Sequence, residues 1–107
     1  MSELETQVTN YLNYCRNQKR LDEKTLRAYR IDLNQFCRAV EPDKILDITS
    51  ETLEVYIAGL HQKYKPKTVK RKIASLKALF HYFEYRDLLE RNPFHKIQVK
   101  FREPAIL

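Results

Sequence analysis

The sequence predicts an all-α domain, a compact bundle of four helices. Three observations carry this. The chain has 107 residues and is 43% hydrophobic, which suits one domain around one modest core. It holds one Gly and four Pro, whereas a sheet with many turns needs more of both. Apolar residues recur at helical spacing in four successive segments, which together take up most of the chain.

The first expected helix covers residues 3–19, with Leu4, Val8, Tyr11 and Cys15 on one stripe. The second covers 22–40. Asp22 suits its N-cap, Glu23 suits the positive end of its dipole, and Leu26, Tyr29, Leu33, Phe36, Cys37 and Val40 form its stripe. Pro42 ends that segment. The third covers 50–64, capped by Thr49 or Ser50, with Leu53, Tyr56, Ile57, Leu60 and Tyr64 facing inward and Gly59 a mild internal cost. The fourth runs from Pro66, a favoured first-turn residue, to about residue 86 on the stripe Val69, Ile73, Leu76, Phe80 and Phe83. Asn92-Pro93 marks a turn or a short fifth helix, with Phe94 and Ile97 as a last core contact. Residues 99–107 lack helical periodicity and contain Pro104, so the chain divides into a domain over 1–98 and a linker over 99–107.

Charge is distributed unevenly. The formal net charge is +6, and no Asp or Glu occurs from Val55 to Phe83, a stretch that holds Lys63, Lys65, Lys67, Lys70, Arg71, Lys72 and Lys77. Acidic residues gather in the first helix, around Asp43 and Asp47, and at the start of the third helix. Such asymmetry points to an anionic partner. The start of the fourth helix sets backbone N–H groups beside these cations, a pairing that suits phosphate. On a helical wheel Lys67, Arg71, Ser75, Ala78 and Tyr82 share one outward side, flanked by Thr68; basic residues followed by small ones would let the helix lie close to a duplex. On the second helix Lys24, Arg27 and Ile31 face outward, with Thr25 to one side. Ile31 either touches a sugar or thymine methyl or packs against the first helix.

Other classes find little support. No apolar run approaches the roughly 20 residues that span a bilayer, and residues 1–10 are polar and acidic, unlike a signal peptide. A soluble cytoplasmic protein with no membrane partner is expected. Cys15 and Cys37 fall on apolar stripes and read as buried free thiols. His61, His81 and His95 lack metal-ligand spacing, and no nucleophile–base set, Gly-rich phosphate loop or paired inward carboxylates can be assembled. Tyr11, Tyr29, Tyr56 and Tyr64 sit on stripes, and Tyr14, Tyr82 and Tyr85 lie off them with nothing beside them to activate a phenol. The expectation is a binding domain with no cofactor, metal, small-molecule substrate or catalytic residue.

Two segments together resemble a known family. One is Leu21-Asp-Glu-Lys-Thr-Leu-Arg-Ala-Tyr-Arg-Ile-Asp-Leu33; the other is Lys67-Thr-Val-Lys-Arg-Lys-Ile-Ala-Ser-Leu-Lys-Ala-Leu-Phe-His-Tyr-Phe83, followed by Asn92-Pro93. They resemble the N-terminal core-binding domain of tyrosine recombinases, the phage integrase and Xer group. That family carries Thr-Leu-x-x-Tyr-x-x-Asp-Leu on its second helix, then a Thr-[Val/Ile]-x-Arg-x-[Leu/Ile]-x-x-Leu helix and an Asn-Pro. Lys77 stands where the family often has Arg.

The resemblance implies a SAM-like four-helix bundle that clamps one face of the recombination core site on double-stranded DNA. It implies a separate catalytic domain after the linker, and other recombinase protomers as partners in a synaptic complex. Some phage integrases carry an arm-binding domain ahead of this one; with the first helix expected to start at residue 3, a parent of the simpler kind is the expectation. In the family the second and fourth helices face DNA, which here implies Lys24, Thr25, Arg27, Lys67, Thr68, Lys70, Arg71, Ser75 and Lys77. Two rivals stand beside it. A helix-turn-helix regulator needs a tight turn between two short helices, and the connections here are longer. A helical protein-interaction module would need a strongly acidic partner to match the acid-free stretch.

Overall fold

The computed structural model describes residues 2–40 and 44–97. Among these lie four α-helices, α1 (Glu3–Asn17), α2 (Glu23–Val40), α3 (Ser50–Lys63) and α4 (Pro66–Tyr85), with 3-10 turns at Ile45–Asp47 and Pro93–Lys96 and no strand. The all-α four-helix expectation holds, and Asn92-Pro93 opens a single 3-10 turn where a turn or a short fifth helix was expected. The expected linker over 99–107 lies outside the described residues.

Caps fix where the helices begin. Ser2 and Glu5 exchange side-chain and backbone hydrogen bonds of 3.1 and 3.2 Å in a capping box ahead of α1. Asp22 accepts the Thr25 N–H at 2.7 Å, which holds its carboxyl below the usual range and confirms it as the cap of α2. Thr49 Oγ1 accepts the Thr52 N–H at 3.2 Å ahead of α3. The start of α4 has Pro66 in its first turn and no side-chain cap.

Two helices end in a left-handed residue that is not glycine. Arg20, at φ 53°, follows α1, and the Leu21 N–H reaches back to the Cys15 carbonyl at 3.1 Å. Asp87, at φ 59°, follows α4; the Leu88 N–H bonds the Phe83 carbonyl at 2.8 Å and the Asp87 N–H bonds the Glu84 carbonyl at 3.1 Å. That pair of bonds is a Schellman motif, which satisfies carbonyls the helix itself leaves open.

Helix α4 packs against each of the other three helices. Val69, Ile73, Leu76, Phe80 and Phe83 are all buried, as their spacing predicts, and Leu79 joins them. Phe80 meets Phe36 of α2 at 6.0 Å between ring centroids, Phe83 at 5.4 Å and Phe94 at 5.3 Å. Ile45 and Ile48, in the connection between α2 and α3, are also buried, and the Ile45 N–H donates to Glu3 Oε1 at 2.6 Å, which ties that connection to α1. Cys15 and Cys37 are buried and unpaired, as expected.

Gly59 sits inside α3, and a Cβ added there would meet nothing within 4 Å. Its only contribution is backbone freedom in the unfolded chain. Gly59→Ala should therefore raise stability by about 0.5–1 kcal/mol. A thermal melt that shows a lower midpoint would mean the position needs its glycine for another reason.

Candidate nucleic-acid interface

A buried carboxylate joins α2 to α4. Asp32 occupies the second helix three residues after Tyr29 and four before Phe36, within the stripe that faces the core. Its side chain is 1% exposed. Arg71 approaches it with two donors, Nε to Oδ2 at 3.2 Å and Nη2 to Oδ1 at 3.0 Å. Lys72 Nζ donates to Oδ1 at 2.9 Å, and Ser75 Oγ donates to Oδ2 at 3.3 Å. Arg71 and Lys72 thus give the carboxylate three charge-assisted bonds, and Ser75 shares its single hydroxyl proton between Oδ2 and the Arg71 carbonyl at 3.2 Å.

Lys72 is held from three directions. It also donates to Gln35 Oε1 at 2.7 Å and lies 4.9 Å from the centroid of the Tyr64 ring, while Gln35 Nε2 donates to Tyr64 Oη at 2.9 Å. Among the described residues no buried side-chain nitrogen or oxygen lacks a hydrogen-bond partner. An ion pair removed from water is tolerable only when satisfied in this way.

The exposed side of α4 carries Lys67, Lys70, Arg71, Ala74, Lys77 and His81. Arg71 is at its edge, its side chain 53% exposed although paired with Asp32. Thr68 is half-buried. On α2, Lys24 and Arg27 are exposed and Thr25 is half-buried on the first turns. Ile31 is 58% exposed and is not buried against α1; it lines an open groove between α2 and α3 with Val55 and Tyr56.

The wheel placed part of α4 wrongly. Ser75 is buried, not outward, because its hydroxyl turns to Asp32 and to the Arg71 carbonyl at 3.2 Å. Tyr82 is buried too, with its ring centroid 5.1 Å from those of Tyr11 and Tyr14 on α1, and Ala78 is half-buried. Packing by α1 and α2 on that flank widens the buried arc beyond the apolar stripe. The solvent-facing arc is shifted toward Lys70, Ala74 and Lys77. Asp32 is the Asp of the second-helix motif and Lys72 one of the cations of the acid-free stretch, but their pairing across α2 and α4 is not marked in either segment; a carboxylate at a stripe position is the one available signal.

Burial and hydrogen bonding shift several other ionisable groups. Burial pushes the Cys37 thiol up to about 11 and raises Cys15 as well. Burial likewise raises the Tyr11 phenol and pushes Tyr56 up to about 12. His95 lies 3.3 Å from Glu84, and its hydrogen bond, with one from Asn92, holds that carboxyl below the usual range. Among the described residues no three His, Cys, Asp or Glu side chains gather as metal ligands would, and no helix is long and apolar enough to cross a membrane.

Comparison with known proteins gives a consistent assignment. The family model for the phage integrase N-terminal SAM-like domain matches residues 8–87. A tyrosine recombinase of Agathobacter rectalis is 56% identical over 107 residues, which is 100% of this chain and 35% of that protein. The tyrosine recombinase XerC of Thermodesulfovibrio yellowstonii is 34% identical over 96 residues, 87% of this chain and 31% of that protein. XerC of Roseiflexus castenholzii is 28% identical over 95 residues, 85% of this chain and 30% of that protein. The chain thus spans about a third of the length of these relatives. No solved structure gives a significant match. On the family match and these relatives together, the chain belongs to the phage integrase N-terminal SAM-like domain family.

Proposed function

We propose that this domain binds double-stranded DNA at the core site of a site-specific tyrosine recombinase and supplies grip, not chemistry. The observation that carries the reading is the exposed arc of α4, where Lys67, Lys70, Arg71 and Lys77 stand within a stretch of sequence free of acidic residues. Phosphates supply most of the affinity in such contacts, and Lys and Arg are the groups that neutralise them. Lys24 and Arg27 extend the basic surface onto α2, and Thr25 and Thr68 supply flanking hydroxyls. The uncapped start of α4 adds backbone N–H groups beside Lys67. Ser75 acts from beneath the surface and makes no direct contact. In the parent protein, a cytoplasmic enzyme on this reading, residues 1–98 grip one face of the site, 99–107 lead to a catalytic domain, and further protomers complete the assembly.

A salt titration with duplex DNA tests this. The chain should bind with a Kd of roughly 10⁻⁴–10⁻⁶ M at physiological salt, and affinity should fall steeply as salt rises. Arg71→Ala should weaken binding to every duplex and reduce the salt slope by about one unit. The matched control is Arg20→Asn, which removes the same charge beyond α1 and suits the left-handed backbone there. Binding indifferent to salt would overturn the reading. Equal losses from both variants would mean that net charge alone matters and that the α4 surface is not the interface.

A further inference from the structure

We propose that Asp32 is a positioning residue for DNA binding, which holds Arg71 so that the outer edge of its guanidinium faces the duplex. The inference rests on the DNA reading above and adds a residue that contacts no DNA itself. Asp32 grips Arg71 through Nε and one hydrogen of Nη2. A guanidinium has five N–H donors, so two on Nη1 and one on Nη2 are left over. One of these on each Nη forms the end edge that Asp32 leaves free, on a side chain that is half exposed while its anchor is buried. That edge is a planar fork suited to two phosphate oxygens. An unanchored arginine loses rotamer freedom when it binds; this one has lost much of it on folding.

The anchor is itself fixed. Lys72 and Ser75 also bond the carboxylate, and Gln35 and Tyr64 hold Lys72. Asp32 therefore cannot follow Arg71 outward. The cluster also keeps a net positive charge, because one carboxylate faces two cations. Asp32 thus fixes the direction of Arg71 without cancelling the local attraction for phosphate.

This produces an outcome opposite in sign to simple electrostatics. Asp32→Asn removes a negative charge, so on charge alone the variant binds DNA more tightly. If Asp32 positions Arg71, the variant binds more weakly, by roughly the same factor as Arg71→Ala, on the order of tenfold. The experiment is a double-mutant cycle on the chain with a fixed duplex, at a temperature where melts show each variant folded. Asp32→Asn combined with Arg71→Ala should bind no more weakly than Arg71→Ala alone. In a DNA-free arm, the Arg71 Nε–H should exchange slowly with solvent in the wild-type chain and rapidly in Asp32→Asn. Should Asp32→Asn not fold, Arg71→Lys serves in its place. It keeps the charge but lacks the fork, and should lose most of what Arg71→Ala loses. Normal or tighter binding by folded Asp32→Asn overturns the positioning role, as do multiplicative losses in the double variant or wild-type binding by Arg71→Lys. Absence of wild-type binding overturns the DNA reading and this role with it, whereas the other outcomes leave the DNA reading standing.

Discussion

Phe80→Ala is expected to lower the stability of the domain by about 3–5 kcal/mol. Phe80 is fully buried on α4 and touches Phe36 from α2, Phe83 from its own helix and Phe94 from the 3-10 turn after it. Removing the ring forfeits its burial and three edge-to-face contacts at once, and leaves a cavity between elements that cannot all close upon it. A domain of this size has about 5–15 kcal/mol of net stability, so the loss is a large share of the total. The melting midpoint should fall by roughly 15–30 °C. Phe80→Leu keeps much of the volume and should cost about 1–2 kcal/mol. Phe80 points away from the basic arc, so folded Phe80→Ala at low temperature should still bind duplex DNA as the wild-type chain does. A midpoint shift of only a few degrees would show that Phe80 is not the junction of these elements.

The elements most legible in the sequence were those whose signal is apolar and periodic. Val69, Ile73, Leu76, Phe80 and Phe83 recur at three- and four-residue steps, and all are buried. A stripe gives the direction of the core but not how wide the buried arc is. That width depends on how many neighbours a helix has, and α4 has three. Ser75 and Tyr82 lie on the flank that α1 and α2 cover, so a wheel that sends polar groups outward misplaces both. Lys72 is a cation in a basic run and becomes a buried partner only because Asp32 stands opposite, 40 residues earlier. Pairings at that separation leave no mark on local spacing. The Asp of Thr-Leu-x-x-Tyr-x-x-Asp-Leu was visible in the motif, but its partners were not. Helix ends were blurred for a different reason: Arg20 and Asp87 take the left-handed backbone that glycine usually marks. The turn at Ile45–Asp47 is a single turn, too short for periodicity to register.

Ser75→Glu should destabilise the fold by about 3 kcal/mol or more, although a wheel alone marks the position as a harmless surface site. The Ser75 hydroxyl lies 3.3 Å from Asp32 Oδ2 in a space closed to solvent. A glutamate there adds volume to a filled site and sets a second carboxylate beside the first. Lys72 and Arg71 can offset only part of that repulsion, since both are already engaged by Asp32. Ser75→Ala removes one hydroxyl proton shared between Asp32 and the Arg71 carbonyl, while Arg71 and Lys72 still satisfy Asp32, so it should cost about 1 kcal/mol or less. The two variants separate the lost hydroxyl from the added charge. Crowding and burial raise the pKa of the introduced carboxylate in the folded state above its unfolded value. The folded variant therefore binds a proton more readily than the unfolded one, and its deficit against the wild-type chain should narrow as pH falls from 7 toward 5. DNA binding by Ser75→Glu should be lost in step with folding, and should return toward wild-type affinity less fully than stability does if the new carboxylate also draws Arg71 inward. Paired melts and duplex titrations at each pH read both effects. A Ser75→Glu chain that melts like the wild type would put Ser75 on the surface and dissolve the network around Asp32.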